Sequence, residues 1–183
     1  MNITTLMKRL LIIAAVMSLL ACATPTVTQY SAEQPKLNLS EYFNGTLDAY
    51  GIFTDRSGAV QKRFTVLIQA DWKIVNGKKT GTLDESFEYS DGTKQKRIWK
   101  LVEVSPGNFI GTADDVVGEA IGLSAGNALN WAYTLALPVD GTIYHVQFND
   151  WMYLISPKVM LNKATMSKFG FDLGEVTLSF YKR

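Results

Sequence analysis

Tyr144-His145-Val146-Gln147-Phe148-Asn149 sets a large apolar side chain against a polar one at every step. A β-strand projects successive side chains to opposite faces, so this period of two makes a strand with one dry and one wet face. The same alternation returns in Phe64-Thr65-Val66-Leu67-Ile68-Gln69 and in Val176-Thr177-Leu178-Ser179-Phe180-Tyr181. A helix built from any of the three would scatter its apolar residues around the cylinder.

Outward from these runs, turn signals recur at nearly even intervals: Ser57-Gly58, Asn76-Gly77, Asp91-Gly92, Pro106-Gly107, Gly126-Asn127, Asp140-Gly141 and Ser156-Pro157. Phe171-Asp172-Leu173-Gly174 completes the series. Asn-Gly and Asp-Gly between apolar runs favour two-residue hairpins, because both residues accept the positive φ of a type I′ turn. The chain therefore reads as all-β: an up-and-down antiparallel meander of about nine strands, closed as a lipocalin-like barrel in preference to a two-sheet sandwich. Gly118, Gly122 and Gly126 interrupt the stretch from Val116 to Asn130, which is read as a Gly-kinked strand rather than a surface helix.

The N-terminus follows a different pattern. Lys8 and Arg9 precede an apolar run from Leu10 to Leu20, which is too short to cross a bilayer and has the zoning of a secretory signal. Leu19-Leu20-Ala21-Cys22 resembles the lipobox of bacterial lipoproteins, in which the Cys is acylated after cleavage just before it. That resemblance implies a signal peptide over residues 1–21 and a membrane partner reached through acyl chains on Cys22. Ala23, where an Asp would favour the inner membrane, points to the outer membrane. Residues 22–40 carry Pro25 and Pro35 with no apolar period and read as the acylated N-terminus and a flexible tether. Residues 41–183 make the barrel domain.

A second resemblance rests on Phe43-Asn44-Gly45, Asp55-Arg56-Ser57-Gly58, Tyr89-Ser90-Asp91-Gly92 with Arg97 and Trp99, the run Gly111 to Ala120, Asp150-Trp151-Met152 and Met166-Ser167-Lys168-Phe169-Gly170. Together these motifs resemble an uncharacterised family of proteobacterial lipoproteins, catalogued as domain of unknown function 3833. The family carries no activity to transfer.

Composition excludes more than it selects. The chain has 18 basic and 17 acidic side chains, and losing Lys8 and Arg9 would leave one acid in excess. No basic stripe suggests a nucleic acid. The one cysteine, consumed by acylation, leaves neither a disulfide nor a thiol nucleophile, and zinc ligands of the usual kind are lacking. His145, the one histidine, has no nucleophile motif beside it and reads as a solvated strand residue. No cofactor is expected.

Two classes of site remain. Paired carboxylates among Asp84, Glu85, Asp114, Asp115, Glu119 and Asp150 would suit an envelope hydrolase, although Asp114 and Asp115, being adjacent, would face opposite ways on a strand. Four Trp, eight Tyr and nine Phe instead favour an apolar binding site, with a few polar groups to orient the ligand. The leading expectation is a tethered barrel that holds a lipid or other small apolar molecule. Arg97, Trp99, Asn149, Asp150, Trp151 and Asn162 are its candidate ligand-binding residues. The alternatives are the carboxylate hydrolase and a structural lipoprotein with a filled barrel.

Overall fold

The computed structural model describes residues 24–139 and 141–183, so Cys22 and the signal-like segment lie outside the described residues. Ten strands follow one another: β1 (Gly45–Asp55), β2 (Val60–Val75), β3 (Lys78–Tyr89), β4 (Lys94–Ser105), β5 (Asn108–Thr112), β6 (Ala120–Ala125), β7 (Ala128–Val139), β8 (Thr142–Ser156), β9 (Val159–Lys168) and β10 (Phe171–Lys182). Each pairs antiparallel with the next, and β10 pairs back onto β1 from Leu47↔Lys182 to Asp55↔Gly174, closing the barrel. Closure removes the unpaired strand edges that a flat meander of this length would expose. The expected all-β barrel is the fold, with ten strands in place of about nine.

The three alternating runs behave as their period requires. Val66 and Ile68 on β2, Val146 and Phe148 on β8 and Phe180 on β10 point inward and are buried, while His145, Gln147 and Asn149 are exposed on the outer face. At Asn76-Gly77 both residues have positive φ, +50° and +76°, the backbone of a type I′ turn joining β2 to β3.

Two boundaries differ from expectation. The stretch from Val116 does not run on as a kinked strand: residues 113–119 form a loop between the short strands β5 and β6, and Gly126 sits in the turn before β7. Gly122 lies within β6, where the Trp131 ring packs so closely that a Cβ would fall 2.2 Å from it. Near the C-terminus the turn falls at Phe169-Gly170, both at positive φ, and Gly174 instead marks a bulge where β10 shifts register against β9. Gly174 backs onto the Thr54 carbonyl, which leaves no room for a side chain.

The segment read as a free tether is, over its described part, bound to the barrel. The Tyr30 ring lies edge-on to Tyr153 at 5.3 Å and tilted against Trp151 at 6.0 Å. The Leu37 N–H donates to the Gly126 carbonyl at 2.7 Å. A single helical turn, α1 (Leu39–Tyr42), then enters one end of the barrel, where Leu39, Tyr42 and Phe43 are almost wholly buried. The Trp72 indole N–H donates to the Phe43 carbonyl at 2.8 Å, and the Phe43 ring meets Phe180 edge-on at 5.5 Å. Isolated aromatic and leucine side chains carry no sequence period, so docking of this kind leaves no periodic trace.

Candidate ligand cavity

With α1 plugging one end, the other half of the barrel is hollow. A cavity of about 1170 Å³ extends from the polar middle of the barrel to the end where β1–β2, β3–β4 and β9–β10 turn. Its upper wall is apolar, built from Phe53, Phe64, Phe87, Leu135, Phe148 and Met166. Each belongs to the inward phase of its strand, which is why they meet although they come from six different strands.

Below this wall lies a layer of polar side chains. Glu85 on β3, Arg97 on β4, Tyr133 on β7, Asp150 on β8 and Asn162 on β9 all line the cavity, joined by Asp115 from the β5–β6 loop. Arg97 and Asp115 form a two-pronged ion pair. Arg97 Nη2 donates to Asp115 Oδ2 at 2.7 Å, while Nε donates to Oδ1 at 3.1 Å and to Oδ2 at 3.0 Å. Because β5 and β6 are short, they leave the wall between β4 and β7 incomplete, and the loop carrying Asp115 fills it. That loop is stitched to β7 by Val117 N–H to Thr134 O at 2.9 Å and Ala136 N–H to Asp115 O at 2.8 Å.

Asp150 is held by neutral donors. Asn162 Nδ2 donates to its Oδ1, and the Tyr133 hydroxyl approaches its Oδ2 at 3.5 Å. Tyr133 is itself stacked on Phe148 at 5.0 Å and set edge-on to Trp99 at 5.5 Å. Glu85 is 9% exposed, and no hydrogen bond to its carboxyl comes from the described residues. Burial pushes Glu85 up to about 7, with Arg97 opposing the rise and Asp115 and Asp150 adding to it. Burial likewise pushes Asp150 up to about 7 against its hydrogen bonds from Asn162 and Tyr133. Desolvation disfavours the charged form of a carboxyl, and among the described residues neither acid has a cation in direct contact to offset it.

Four of the six candidate residues meet in this cavity: Arg97, Trp99, Asp150 and Asn162. Asn149 and Trp151 are not brought there. Both lie on the outer face of β8, one step out of phase with Asp150, where Asn149 Oδ1 accepts from Asn130 Nδ2 at 2.7 Å. Trp151 stacks there on Tyr153 at 6.1 Å beneath Tyr30, so it cannot cover a ligand tail inside the barrel. Arg97 lies over the Phe87 ring at 5.4 Å, which places the cation–π partner on β3.

The sequence offered Glu85 and Asp115 only as carboxylates for a hydrolase, not as part of a ligand site, and Tyr133 not at all. The signal for Glu85 was available, since it shares its strand phase with Leu83 and Phe87 and is therefore an acid on a dry face. Asp115 carried no such signal, because it lies in a loop. The carboxylates of the hydrolase reading are only partly gathered: Asp115 and the buried Asp150 line the cavity with Asp114, which is exposed in the β5–β6 loop, whereas Glu119, exposed in the same loop, is not part of the lining. Among the described residues, no group of three His, Cys, Asp or Glu side chains is placed to hold a metal.

The barrel is similar in fold to the S-type phycobiliprotein lyase CPES from Guillardia theta, at 7% identity and a TM-score of 0.54, covering 87% of this chain and 98% of that one. It also matches a de novo designed fluorescence-activating β-barrel at 12% identity and a TM-score of 0.43, covering 80% of this chain and 99% of that one. A protein of unknown function of the DUF3598 family from Nostoc punctiforme matches at 13% identity and a TM-score of 0.46, covering 88% of this chain and 53% of that one. At such identities the first likeness concerns the fold alone, and the other two are weaker. No curated protein matches the chain. The family model described as Protein of unknown function (DUF3833) matches residues 16–182, and the chain belongs to that family.

Proposed function

We propose that this protein is an envelope lipoprotein that holds a small, largely apolar molecule inside its barrel. The observation that carries the reading is the cavity of about 1170 Å³ with apolar walls and a polar layer at depth. Protein interiors are packed almost as densely as organic crystals and contain few voids larger than a water molecule. A barrel with a structural role alone would be filled by its own side chains. Here the aromatic side chains line the walls and leave the space between them free. Binding pockets have this composition: apolar surface for affinity, with a few polar groups for orientation.

The tether is part of the same reading. Leu19-Leu20-Ala21-Cys22 supports acylation of Cys22, and Ala23 favours the periplasmic face of the outer membrane. An exported Cys22→Ala chain should leave the membrane fraction, because buried acyl chains supply about 0.8 kcal/mol per CH₂. Persistence in the membrane pellet would defeat the tether.

The barrel, its plug and its core among the described residues lie within residues 24–183, so a chain of these residues carries that fold. After delipidation it should bind apolar molecules saturably and one per chain, with a change in the fluorescence of Trp99 and Trp131, which line the cavity. Trp151→Ala should leave that binding unchanged, since Trp151 lies outside the barrel. Failure of an acyl-chain and aromatic panel to bind saturably would overturn the proposal.

A further inference from the structure

Inside the cavity, acids and bases are out of balance. In the polar layer Glu85, Asp115 and Asp150 face a single guanidinium, that of Arg97, while Asp114, Lys62 and Lys94 also line the cavity. Arg97 stands directly opposite Glu85 in the β3–β4 register, yet its fork is turned to Asp115. Its side chain is only 15% exposed, so the Arg97–Asp115 pair is largely shielded and its charge is already used. Glu85 is left more than nine-tenths buried, lining the cavity, with no donor from the described residues. Asp150 is 6% exposed and has amide and phenol donors but, among the described residues, no cation.

Buried carboxyls without a counter-charge are costly, and native proteins rarely keep them without a use. An anionic head reaching this depth would meet two further acids and, among the described residues, no free cation. A protonated nitrogen would find acceptors on both Glu85 and Asp150, in a site where charge-assisted hydrogen bonds are strong. Entry is not barred by charge at the rim, since Lys62 pairs with Asp91 at 2.8 Å and Lys94 with Glu88 at 3.8 Å.

We propose that the cavity selects apolar molecules that carry a protonated nitrogen, seated between the Glu85 and Asp150 carboxyls with the apolar body against the aromatic upper wall. The proposal rests on the reading of the barrel as an apolar-ligand carrier and names the chemistry of its ligand.

A matched series of probes tests it. Dodecylamine, dodecanol and dodecanoic acid, each below its micelle concentration, are titrated at pH 8 into the chain of residues 24–183 and followed by calorimetry and tryptophan fluorescence. Dodecylamine should bind about tenfold or more tightly than dodecanol, and dodecanoic acid more weakly than dodecanol, the scale expected of one charged hydrogen bond. Glu85→Gln and Asp150→Asn, both nearly isosteric, should each cut dodecylamine affinity about tenfold and leave dodecanol within about twofold. Dodecanoic acid binding as tightly as dodecylamine would overturn the proposal. An amine preference that survives both substitutions would do the same, because it would then reside on the outer surface. Should either variant fail to fold, the comparison of the three probes on the native chain decides alone. If dodecanol also fails to bind, it is the apolar-carrier reading that falls, and this inference with it.

Discussion

The two ends of the barrel are made from the same kind of antiparallel hairpin, yet one is solid and the other hollow. At the solid end α1 drives Leu39 and Phe43 between the strands, and Trp131 lies over Gly111 and Gly122, where any larger residue would strike its ring. At the hollow end the rim displays Phe169, Phe171 and Ile143, which are 86%, 75% and 64% exposed, and the interior below them is open. The difference separates two tasks. Packing against the plug supplies much of the stabilising burial, so the opposite half can keep its space.

The separation can be broken first from the solid end. Phe43→Ala removes a ring buried to 4% exposure that contacts both Tyr42 and Phe180. It should lower the unfolding free energy by about 3–5 kcal/mol, the usual loss for a buried Phe. Urea denaturation measures this, and a loss under about 1 kcal/mol would mean that the plug is not what holds the barrel together.

From the hollow end the expected effect is smaller and depends on pH. Glu85 and Asp150 both have folded-state pKa values near 7, above the carboxyl range of an unfolded chain. The barrel therefore binds protons more tightly than the unfolded chain does. The stability these acids contribute is complete below about pH 4 and is lost as the pH rises through about 7. The groups that face them are Arg97, Asp115, Tyr133 and Asn162 from inside the barrel, with Asp84 next to Glu85 in sequence. Unfolding free energy should thus fall between pH 5 and pH 8. Glu85→Gln should remove roughly half of that fall, on the order of 2 kcal/mol at about 1.4 kcal/mol per pH unit. A stability profile that is flat over this range, or unchanged by the substitution, would show that the polar layer is open to water and does not belong to a dry cavity.

Much of this contrast was legible in strand phase. Leu83, Glu85 and Phe87 share one face of β3, and Val146, Phe148 and Asp150 share one face of β8, so an acid on each dry face marks the polar layer. The same phase puts Trp151 outside, beside Tyr30. Grouping Trp151 with Asp150 as sequence neighbours set aside the alternation that identifies the strand. The extra strand was less visible, because β5 and β6 have only 5 and 6 residues and the seven-residue loop between them has no period.

Hairpin turns, strand faces and the all-β class were determined by the sequence itself, because they depend on residues only a few positions apart. Alternation needs two neighbours, and a type I′ turn needs Asn76 and Gly77 side by side. Which end of the barrel is filled was decided only by the tertiary structure. Phe43 meets Phe180, and Tyr42 reaches the Phe180 carbonyl at 3.2 Å, only after β10 has come round to pair with β1. Arg97 is committed to Asp115 and not to Glu85 because closure leaves a gap beside β4 that the β5–β6 loop must cover. Contacts of this kind depend on how the ring of strands closes in three dimensions, and no local pattern in the chain encodes where two remote side chains will meet.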